Sequence, residues 1–305
     1  MRRIFLWAAR SAWLKERLPR LPFMRRAVRR FMPGETLASA LDAAAPLQAA
    51  GIATMYTRLG ENLERLDEAD AVAGHYIEVL DAIAVRGLDG EVSVKPTQLG
   101  LDIDEDRTLA HLQRIAEHAA VTGSYVWIDM EGSAYVEQTV RLYERLRATH
   151  PRTGICLQAY LKRTAADIAR LLPLDPAIRL VKGAYDEPAE IAYRDKRRVD
   201  ASYLGLAVGF LKDGRGRPIR LALGTHDVEL IDQIAEQASA AGIGKEAFEI
   251  DMLFGIRTGE QHHLAKAGFR VVTLIAYGEH WYPWYMRRLA ERPATVTFAI
   301  RSLLP

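Results

Sequence analysis

The chain has 305 residues, of which 49% are hydrophobic and 26% are charged, and its formal net charge is +2. This composition is typical of a globular protein with a sizeable core. The single cysteine, Cys156, excludes an intrachain disulfide framework and favours a reducing, cytoplasmic setting. The sequence contains no run of roughly 18 apolar residues, so no transmembrane helix is predicted.

The positive charge is concentrated at the N-terminal end. Residues 1–34 carry ten of the 41 Lys and Arg residues and one of the 39 acids. Apolar and aromatic residues, including Trp7 and Trp13, are interspersed with these bases. Three interpretations of this basic amphipathic arm remain open: a helix packed on the body, a contact with an anionic membrane surface, or a nucleic-acid contact. Nucleic acid is the least favoured of the three and is not predicted as a partner.

From residue 35 onwards, short apolar runs alternate with stretches of helical periodicity. The runs predicted as strands lie at 51–61, 91–98, 125–132, 154–161, 178–185, 219–226, 248–255 and 269–278. Strict alternation of strand and helix predicts parallel strands. Eight such units favour a closed (β/α)8 barrel of the TIM type over an open doubly wound sheet, which the lack of a G-x-G-x-x-G motif also disfavours. We therefore predict one catalytic barrel over residues 35–305, preceded by the helical arm.

In such barrels the active site forms at the carboxyl ends of the strands. The polar residues near those ends are Arg58, Glu61, Lys95, Gln98, Asp129, Glu131, Gln158, Tyr160, Arg179, Lys182, Tyr185, Thr225, His226, Asp227, Asp251, Tyr277 and Glu279. Charged side chains inside apolar strands are unfavourable unless they are paired or bind a ligand. Lys95 and Asp129 are thus either a structural ion pair or part of a binding site.

Other candidates have simpler interpretations. His226 and Asp227 are better explained as a helix cap or a cofactor contact than as a catalytic dyad. His262 and His263 are consecutive on an outer helix, where neighbouring side chains diverge, so no metal site is predicted there. Cys156 lies in the middle of a strand and is interpreted as a buried, inert thiol.

The segment HWYPWYMRRLAER (280–292) follows the last strand and is predicted as a helix at the barrel mouth. Pro283 suits a first helical position. Trp284, Arg287, Arg288 and Glu291 then share one face, because they are spaced i, i+3, i+4 and i+7. Two guanidinium groups above Lys95 form a socket for a small carboxylate or phosphate.

Six motifs follow one another along the predicted barrel: SVKPTQLGLDID, WIDMEG, CLQAYLKRT, RLVKGAYDEP, GTHD and YMRRLAERP. Together they closely resemble the flavin-dependent proline dehydrogenases of the monofunctional bacterial type, over about Met32 to Pro305. The resemblance implies a distorted (β/α)8 barrel that holds FAD at the strand carboxyl ends. It further implies oxidation of L-proline to Δ1-pyrroline-5-carboxylate, the first step of proline catabolism to glutamate, with electrons passed to a quinone.

The resemblance also assigns roles to residues. It implies that Lys95, Arg287 and Arg288 bind the substrate carboxylate and that Tyr185 lies against the substrate ring. Asp129 matches an active-site aspartate that orients Lys95, and Arg179 matches an arginine beside flavin N5. The expected cofactor contacts are Met130, Gln158, Arg179, Lys182, Gly183, Ala184, Thr225 and His226, together with Glu291 on the helix face of the arginines.

The chain departs from the family pattern at three positions. Leu274 and Trp284 replace the usual tyrosines, and Ala276 replaces a proline. Because Leu274 and Trp284 alter the walls around the substrate ring, hydroxyproline or another cyclic imino acid is an alternative substrate. A barrel that binds an anionic ligand without redox turnover is an alternative of another class. The arm at residues 1–34 adds the expectation of a peripheral contact with the inner face of the membrane.

Overall fold

A computed structural model describes residues 11–18, 21–60 and 63–291. Eight strands alternate with helices along the chain. The strands are β1 (Ala53–Arg58), β2 (Gly90–Val94), β3 (Val126–Ile128), β4 (Thr153–Gln158), β5 (Ala177–Val181), β6 (Arg220–Gly224), β7 (Phe248–Leu253) and β8 (Arg270–Tyr277). The helices are α1 (Ala12–Arg17), α2 (Pro22–Val28), α3 (Leu37–Ala49), α4 (Leu66–Val85), α5 (Glu105–Val121), α6 (Val136–Arg147), α7 (Thr164–Leu171), α8 (Lys196–Asp213), α9 (Val228–Ala240), α10 (Thr258–Lys266) and α11 (Trp281–Glu291).

The strands are parallel and form a closed barrel in chain order. β8 closes the barrel against β1, in a register that runs from Ala53 opposite Val272 to Arg58 opposite Tyr277. The predicted (β/α)8 barrel is confirmed, and each strand is shorter than its apolar run because the end of the run lies in a loop. All carboxyl ends therefore meet at one face of the barrel.

The two faces of the strands pack into separate layers. Outward residues such as Val92, Ile155 and Ile250 form the main core with the surrounding helices. Inward residues include Met55 and Trp127, which are fully buried in the barrel interior. Alternation along each strand produces this separation, since neighbouring side chains point to opposite faces.

Charged side chains close the amino-terminal end of the barrel. Arg220 lies 2.6 Å from a carboxylate oxygen of Glu91 and donates to Glu249 at 2.9 Å. Arg270 also donates to Glu249, at 3.0 Å. We call Glu91, Arg220, Glu249 and Arg270 the lower ionic network. Each of the two glutamates in this network pairs with at least one arginine. The pairing offsets part of the desolvation cost of burying their charges.

Part of the N-terminal arm packs on the last helix. Met24, Val28 and Phe31 are buried in one cluster with Trp281 and Tyr285 of α11. The rings of Phe31 and Tyr285 have their centroids 6.0 Å apart. For this stretch of the arm, packing on the body is the interpretation that the structure supports. None of the helices within residues 11–18, 21–60 and 63–291 is long and apolar enough to cross a membrane.

Gly255 lies where the arm passes close to the loop after β7. Its φ of +71° lies in the left-handed region, and a Cβ atom there would lie 1.6 Å from the carbonyl oxygen of Arg30. Glycine is required on both counts, because a side chain would be strained and would collide with the backbone of the arm.

One predicted boundary was wrong. Helix α11 begins at Trp281, so Pro283 is its third residue instead of its first. Proline is tolerated there because the N–H groups of the first helical turn have no acceptor within the helix. The error leaves the relative spacing of Trp284, Arg287 and Arg288 unchanged.

Candidate active site

Three charged residues predicted at different strand ends meet at the barrel mouth. Lys95 directly follows β2, and its Nζ lies 3.1 Å from Oδ2 of Asp129, which directly follows β3. Arg179 of β5 donates a very short hydrogen bond to Oδ1 of Asp129. The backbone N–H of Asp129 donates to the carbonyl of Val94 at 2.8 Å, which fixes the carboxylate between the two cations.

Two further residues complete this group, and sequence reasoning did not single them out. Ser93 Oγ donates to Asp129 Oδ1 at 2.7 Å and accepts from Arg179 at 2.8 Å. The Sδ atom of Met55 accepts from Arg179 at 2.6 Å. Ser93 precedes Lys95 by two residues and therefore shares its face of the strand, so strand alternation could have identified it.

The charges of the group support one another. Burial raises the pKa of Asp129, but Lys95 and Arg179 outweigh that effect, and the pKa falls below its ordinary value. Burial opposes the charge of Arg179, yet the Asp129 carboxylate raises the pKa of this guanidinium overall. With all three residues ionised, Lys95, Asp129 and Arg179 carry a net charge of +1. Such a group is suited to attracting an anion.

A second ionic cluster surrounds Lys182. Lys182, just after β5, lies 2.5 Å from a carboxylate oxygen of Asp200 and 2.7 Å from one of Asp227. Burial raises the pKa of both acids, but hydrogen bonds from Lys182 outweigh it and lower both values. Asp227 occupies the N-cap position of α9, although its side chain makes no capping hydrogen bond because it pairs with Lys182 instead.

The remaining predicted cofactor residues lie at the ends of neighbouring strands. Gln158, at the end of β4, is buried and donates to the carbonyl of Glu131 at 3.2 Å. The Oε1 atom of Gln158 has no hydrogen-bond partner among the described residues. A buried amide oxygen in that state fits a site that a polar ligand completes. The same rim carries Met130, which is buried, and Ala184, which is half-buried.

Local contacts fix the backbone or the side chain at three predicted cofactor residues, Gly183, Thr225 and His226. Gly183 has a φ of +113°, and a Cβ atom there would lie 2.2 Å from the ring of Tyr160, so the backbone passes close to that ring. Thr225 Oγ1 accepts from the backbone N–H of Asp227 at 3.2 Å. His226 Nε2 accepts from the N–H of Leu253 in β7 at 3.2 Å, so this ring nitrogen does not cap α9, and the predicted side-chain cap at 226–227 is not formed.

Helix α11, which follows β8, carries the two predicted arginines. Arg287 and Arg288 are half-buried, and Trp284 is buried. Leu274 packs both against the cluster of α11 and against the barrel interior, so it links the two. Tyr185 is half-buried in the loop after β5.

Three further predictions concern Glu291 with the N-terminal residues, Cys156, and metal binding. The side chain of Glu291 and residues 1–10 lie outside the part of the chain that the structure describes. Cys156 is buried and free, as predicted, and burial raises the pKa of its thiol. Within the described residues, no three His, Cys, Asp or Glu side chains are grouped as metal ligands.

A buried ionic group at the carboxyl ends of a closed (β/α)8 barrel is typical of barrel enzymes. Comparison with known proteins identifies the family. The model of the proline dehydrogenase family matches residues 40–301. The chain is 36% identical over 304 residues to proline dehydrogenase 1 of Bacillus subtilis subsp. natto, which covers 100% of this chain and 99% of that protein. It is 37% identical to the proline dehydrogenase of Deinococcus radiodurans over 282 residues, 90% of this chain and 89% of that protein.

The chain belongs to the proline dehydrogenase family and is an oxidoreductase of that family. Among solved structures, proline utilization A of Bdellovibrio bacteriovorus, inactivated by N-propargylglycine, superimposes with a TM-score of 0.81 at 22% identity. The match covers 95% of this chain and 38% of that one. At this identity the likeness concerns the fold, and it agrees with the barrel described above.

Proposed function

We propose that this protein oxidises L-proline to Δ1-pyrroline-5-carboxylate with FAD as cofactor and passes the electrons to a quinone. The reaction is the first step in the catabolism of proline to glutamate. The observation that carries the proposal is the buried group of Lys95, Asp129 and Arg179, with its net charge of +1, in a member of this family. Proline is a small carboxylate, and such a group favours its binding.

The substrate carboxylate is held by Lys95, Arg287 and Arg288. Asp129 orients Lys95 through the contact of 3.1 Å and keeps the ammonium group from turning into solvent. Tyr185, Leu274 and Trp284 form the walls around the substrate ring. Because most of the work is positioning, no strong acid–base residue is required at the reacting carbon.

The FAD-binding residues are those at the ends of β3 to β6: Met130, Gln158, Arg179, Lys182, Gly183, Ala184, Thr225 and His226, with Glu291 of α11. Bound there, FAD would supply the oxidant for the two-electron oxidation of the substrate amine to an imine. The unpartnered Oε1 of Gln158 fits an acceptor for a cofactor N–H. The guanidinium of Arg179 would stabilise the negative charge that a flavin gains on reduction.

A purified preparation tests this proposal against the non-redox alternative. The absorbance bands of bound flavin, and dye reduction with proline in a panel that includes hydroxyproline and pipecolate, are expected. A colourless protein that takes up no added FAD would support the anion-binding barrel instead. Turnover of hydroxyproline or pipecolate without turnover of proline would retain the flavin chemistry and change the substrate.

We also propose that the arm holds this cytoplasmic enzyme at the inner face of the membrane, close to quinone. Trp13 is 58% exposed, and the Arg17 guanidinium lies 4.8 Å from the centre of its ring. An exposed aromatic beside a cation suits an anionic lipid surface. Sedimentation with anionic vesicles at low salt should depend on residues 1–13. Deletion should stop there, because Leu14 and Leu18 pack on the cluster that Met24 and Val28 form with α11.

Full-length protein that remains in the supernatant with anionic vesicles at low salt would contradict this membrane contact. Dye-linked activity of the shortened protein is the control. It should be unchanged, because the residues proposed to bind substrate and FAD remain in place.

A further inference from the structure

Asp251 is a buried acid to which the proposed reaction assigns no role. It lies on β7 opposite Gly224 of β6 and Val272 of β8, and it is 6% exposed. Neither carboxyl oxygen has a hydrogen-bond partner among the residues that the structure describes. A buried carboxylate without a partner is strongly unfavourable, so such a group either holds a proton or acquires a cation.

Strand alternation directs Asp251 into the barrel. Ile250 packs in the outer core, whereas Glu249, two residues before Asp251, faces the interior. Glu249 accepts from Arg220 at 2.9 Å and from Arg270 at 3.0 Å. The two arginines of the lower ionic network are therefore already engaged by another acid.

The cation of the active-site group is engaged as well. Arg179 donates to Asp129, to Ser93 at 2.8 Å and to Met55 at 2.6 Å. The charged groups that act on Asp251 are Glu249 of β7, Arg179 of β5, Glu91 of β2 and Arg220 of β6, and Asp251 in turn acts on Tyr203 of α8. Burial, followed by the negative charge of Glu249, raises the pKa of Asp251 well above its ordinary value.

We propose that Asp251 is a second acid for Arg179: it holds a proton while Asp129 binds the guanidinium, and it ionises to pair with Arg179 when Asp129 is uncharged. Asp251 is then a positioning residue, because it acts on the site through Arg179. Because protonated Asp251 carries no charge, it does not cancel the net charge of +1 on Lys95, Asp129 and Arg179. The benefit of that charge to an anionic substrate rests on the proposed function.

An infrared measurement tests the proton directly. Near neutral pH the wild-type protein should show the C=O stretching band of a buried protonated carboxylic acid, which Asp251→Asn should lack. Asp129→Asn should lose the same band, because Asp251 then ionises to pair with Arg179. Asp232→Asn, which removes an exposed aspartate on α9, should retain it. A wild-type spectrum without the band, or an unchanged band in Asp129→Asn, would overturn the proposal.

Urea unfolding of the same variants provides a second test, in which the effect of Asp251→Asn on the free energy of unfolding should have opposite signs in two backgrounds. A carboxyl with a raised folded-state pKa contributes stability that is full below its unfolded value, 3.8, and is lost as the pH rises towards the folded-state pKa. Over that interval the folding equilibrium constant of wild type should fall, relative to Asp251→Asn, by up to about tenfold per pH unit.

At pH 7, therefore, Asp251→Asn should stabilise the wild-type background. In the Asp129→Asn background it should destabilise, because it removes the acid that has replaced Asp129 beside Arg179. Stabilisation of equal size in both backgrounds would overturn the proposal. If Asp251→Asn does not fold, Asp251→Leu, which also removes the ionisable group, serves the same comparison. Neither readout involves turnover, so failure to oxidise proline would overturn the proposed function and leave this inference standing.

Discussion

Lys95 and Asp129 form an ion pair of 3.1 Å across the adjacent ends of β2 and β3, and both side chains are largely buried. The single carboxylate of Asp129 is shared by two cations, because its other oxygen accepts a hydrogen bond from Arg179. Lys95, Asp129 and Arg179 together therefore carry a net charge of +1 at a buried position. The proposed role of the pair, beyond linking two strands, is to supply part of this charge to a substrate anion.

Replacement of that cation should weaken substrate binding. In Lys95→Met the remaining charges of Asp129 and Arg179 cancel, so KM for proline should rise at least about tenfold while FAD stays bound. Steady-state kinetics and the flavin content of the purified variant are the measurements. Lys212→Met, which removes an exposed lysine on α8, is the control. An unchanged KM would mean that Lys95 does not bind the substrate and forms only a structural ion pair with Asp129.

The arginine pair of α11 should behave in the same way. Arg287→Met and Arg288→Met each remove a proposed partner of the substrate carboxylate, and loss of such a partner typically costs about 2–5 kcal/mol. We expect a large increase in KM from each substitution, with FAD retained. Arg86→Met, at an exposed ion pair with Asp42, controls for loss of a surface charge. Wild-type KM in both α11 variants would show that these arginines are not part of the socket.

Arg179 should influence reduction more than binding. Arg179→Met removes the positive charge that is proposed to lie beside the flavin, so the midpoint potential of the flavin should fall and anaerobic reduction by proline should slow. KM should change much less than kcat, since Lys95 and the α11 arginines remain. Potentiometry and stopped-flow absorbance measure the two effects. A normal rate of flavin reduction would remove Arg179 from the reacting centre.

Docking of the arm on α11 should depend on Gly255. Gly255→Ala introduces strain at a positive φ and a collision with the carbonyl of Arg30, so it should lower the free energy of unfolding by more than about 1 kcal/mol. It should also raise KM, because residues 24–32 support the helix that carries Arg287. The matched control is Gly259→Ala in α10, where no atom lies within 4 Å of the added Cβ.

That control should stabilise the protein by about 0.4–1 kcal/mol. Urea midpoints of both variants give the comparison. If Gly255→Ala is as stable as wild type, the close approach of the arm at this position does not hold in solution.

The wall at Leu274 should set selectivity among cyclic imino acids. An apolar wall offers no hydrogen bond to a 4-hydroxyl group and rejects it poorly, since apolar pockets discriminate by about 1–3 kcal/mol per methylene. Leu274→Tyr should therefore raise the ratio of kcat/KM for proline to kcat/KM for hydroxyproline. A flat or lower ratio would mean that this wall does not determine the choice of substrate.

The barrel and much of its mouth were predictable from the sequence, because they depend on local periodicity. Alternating runs define the strands, and their ends place Lys95, Asp129 and Arg179 on one face of the barrel. Ser93 was within reach of the same reasoning through its spacing from Lys95. The first residue of α11 was not, since the aromatic residues before Pro283 are compatible with either a loop or a first helical turn.

Other features depend on contacts between distant segments. The apolar pattern of residues 21–34 suits packing on protein and contact with lipid equally well, and only the position of α11 distinguishes them. Glycine is required at position 255 because of its contact with Arg30, which is far away in the chain. Asp251 was recognisable as a polar residue near a strand end, but its lack of a partner follows from how Arg220, Arg270 and Arg179 are engaged elsewhere.

Anaerobic addition of L-proline to the purified protein tests the central claim most directly. The account predicts that the oxidised-flavin absorbance of the protein is present before addition, bleaches when proline is added and returns when a quinone is supplied. Bound flavin that stays oxidised with proline, hydroxyproline and pipecolate, or a protein that binds no flavin, would contradict it.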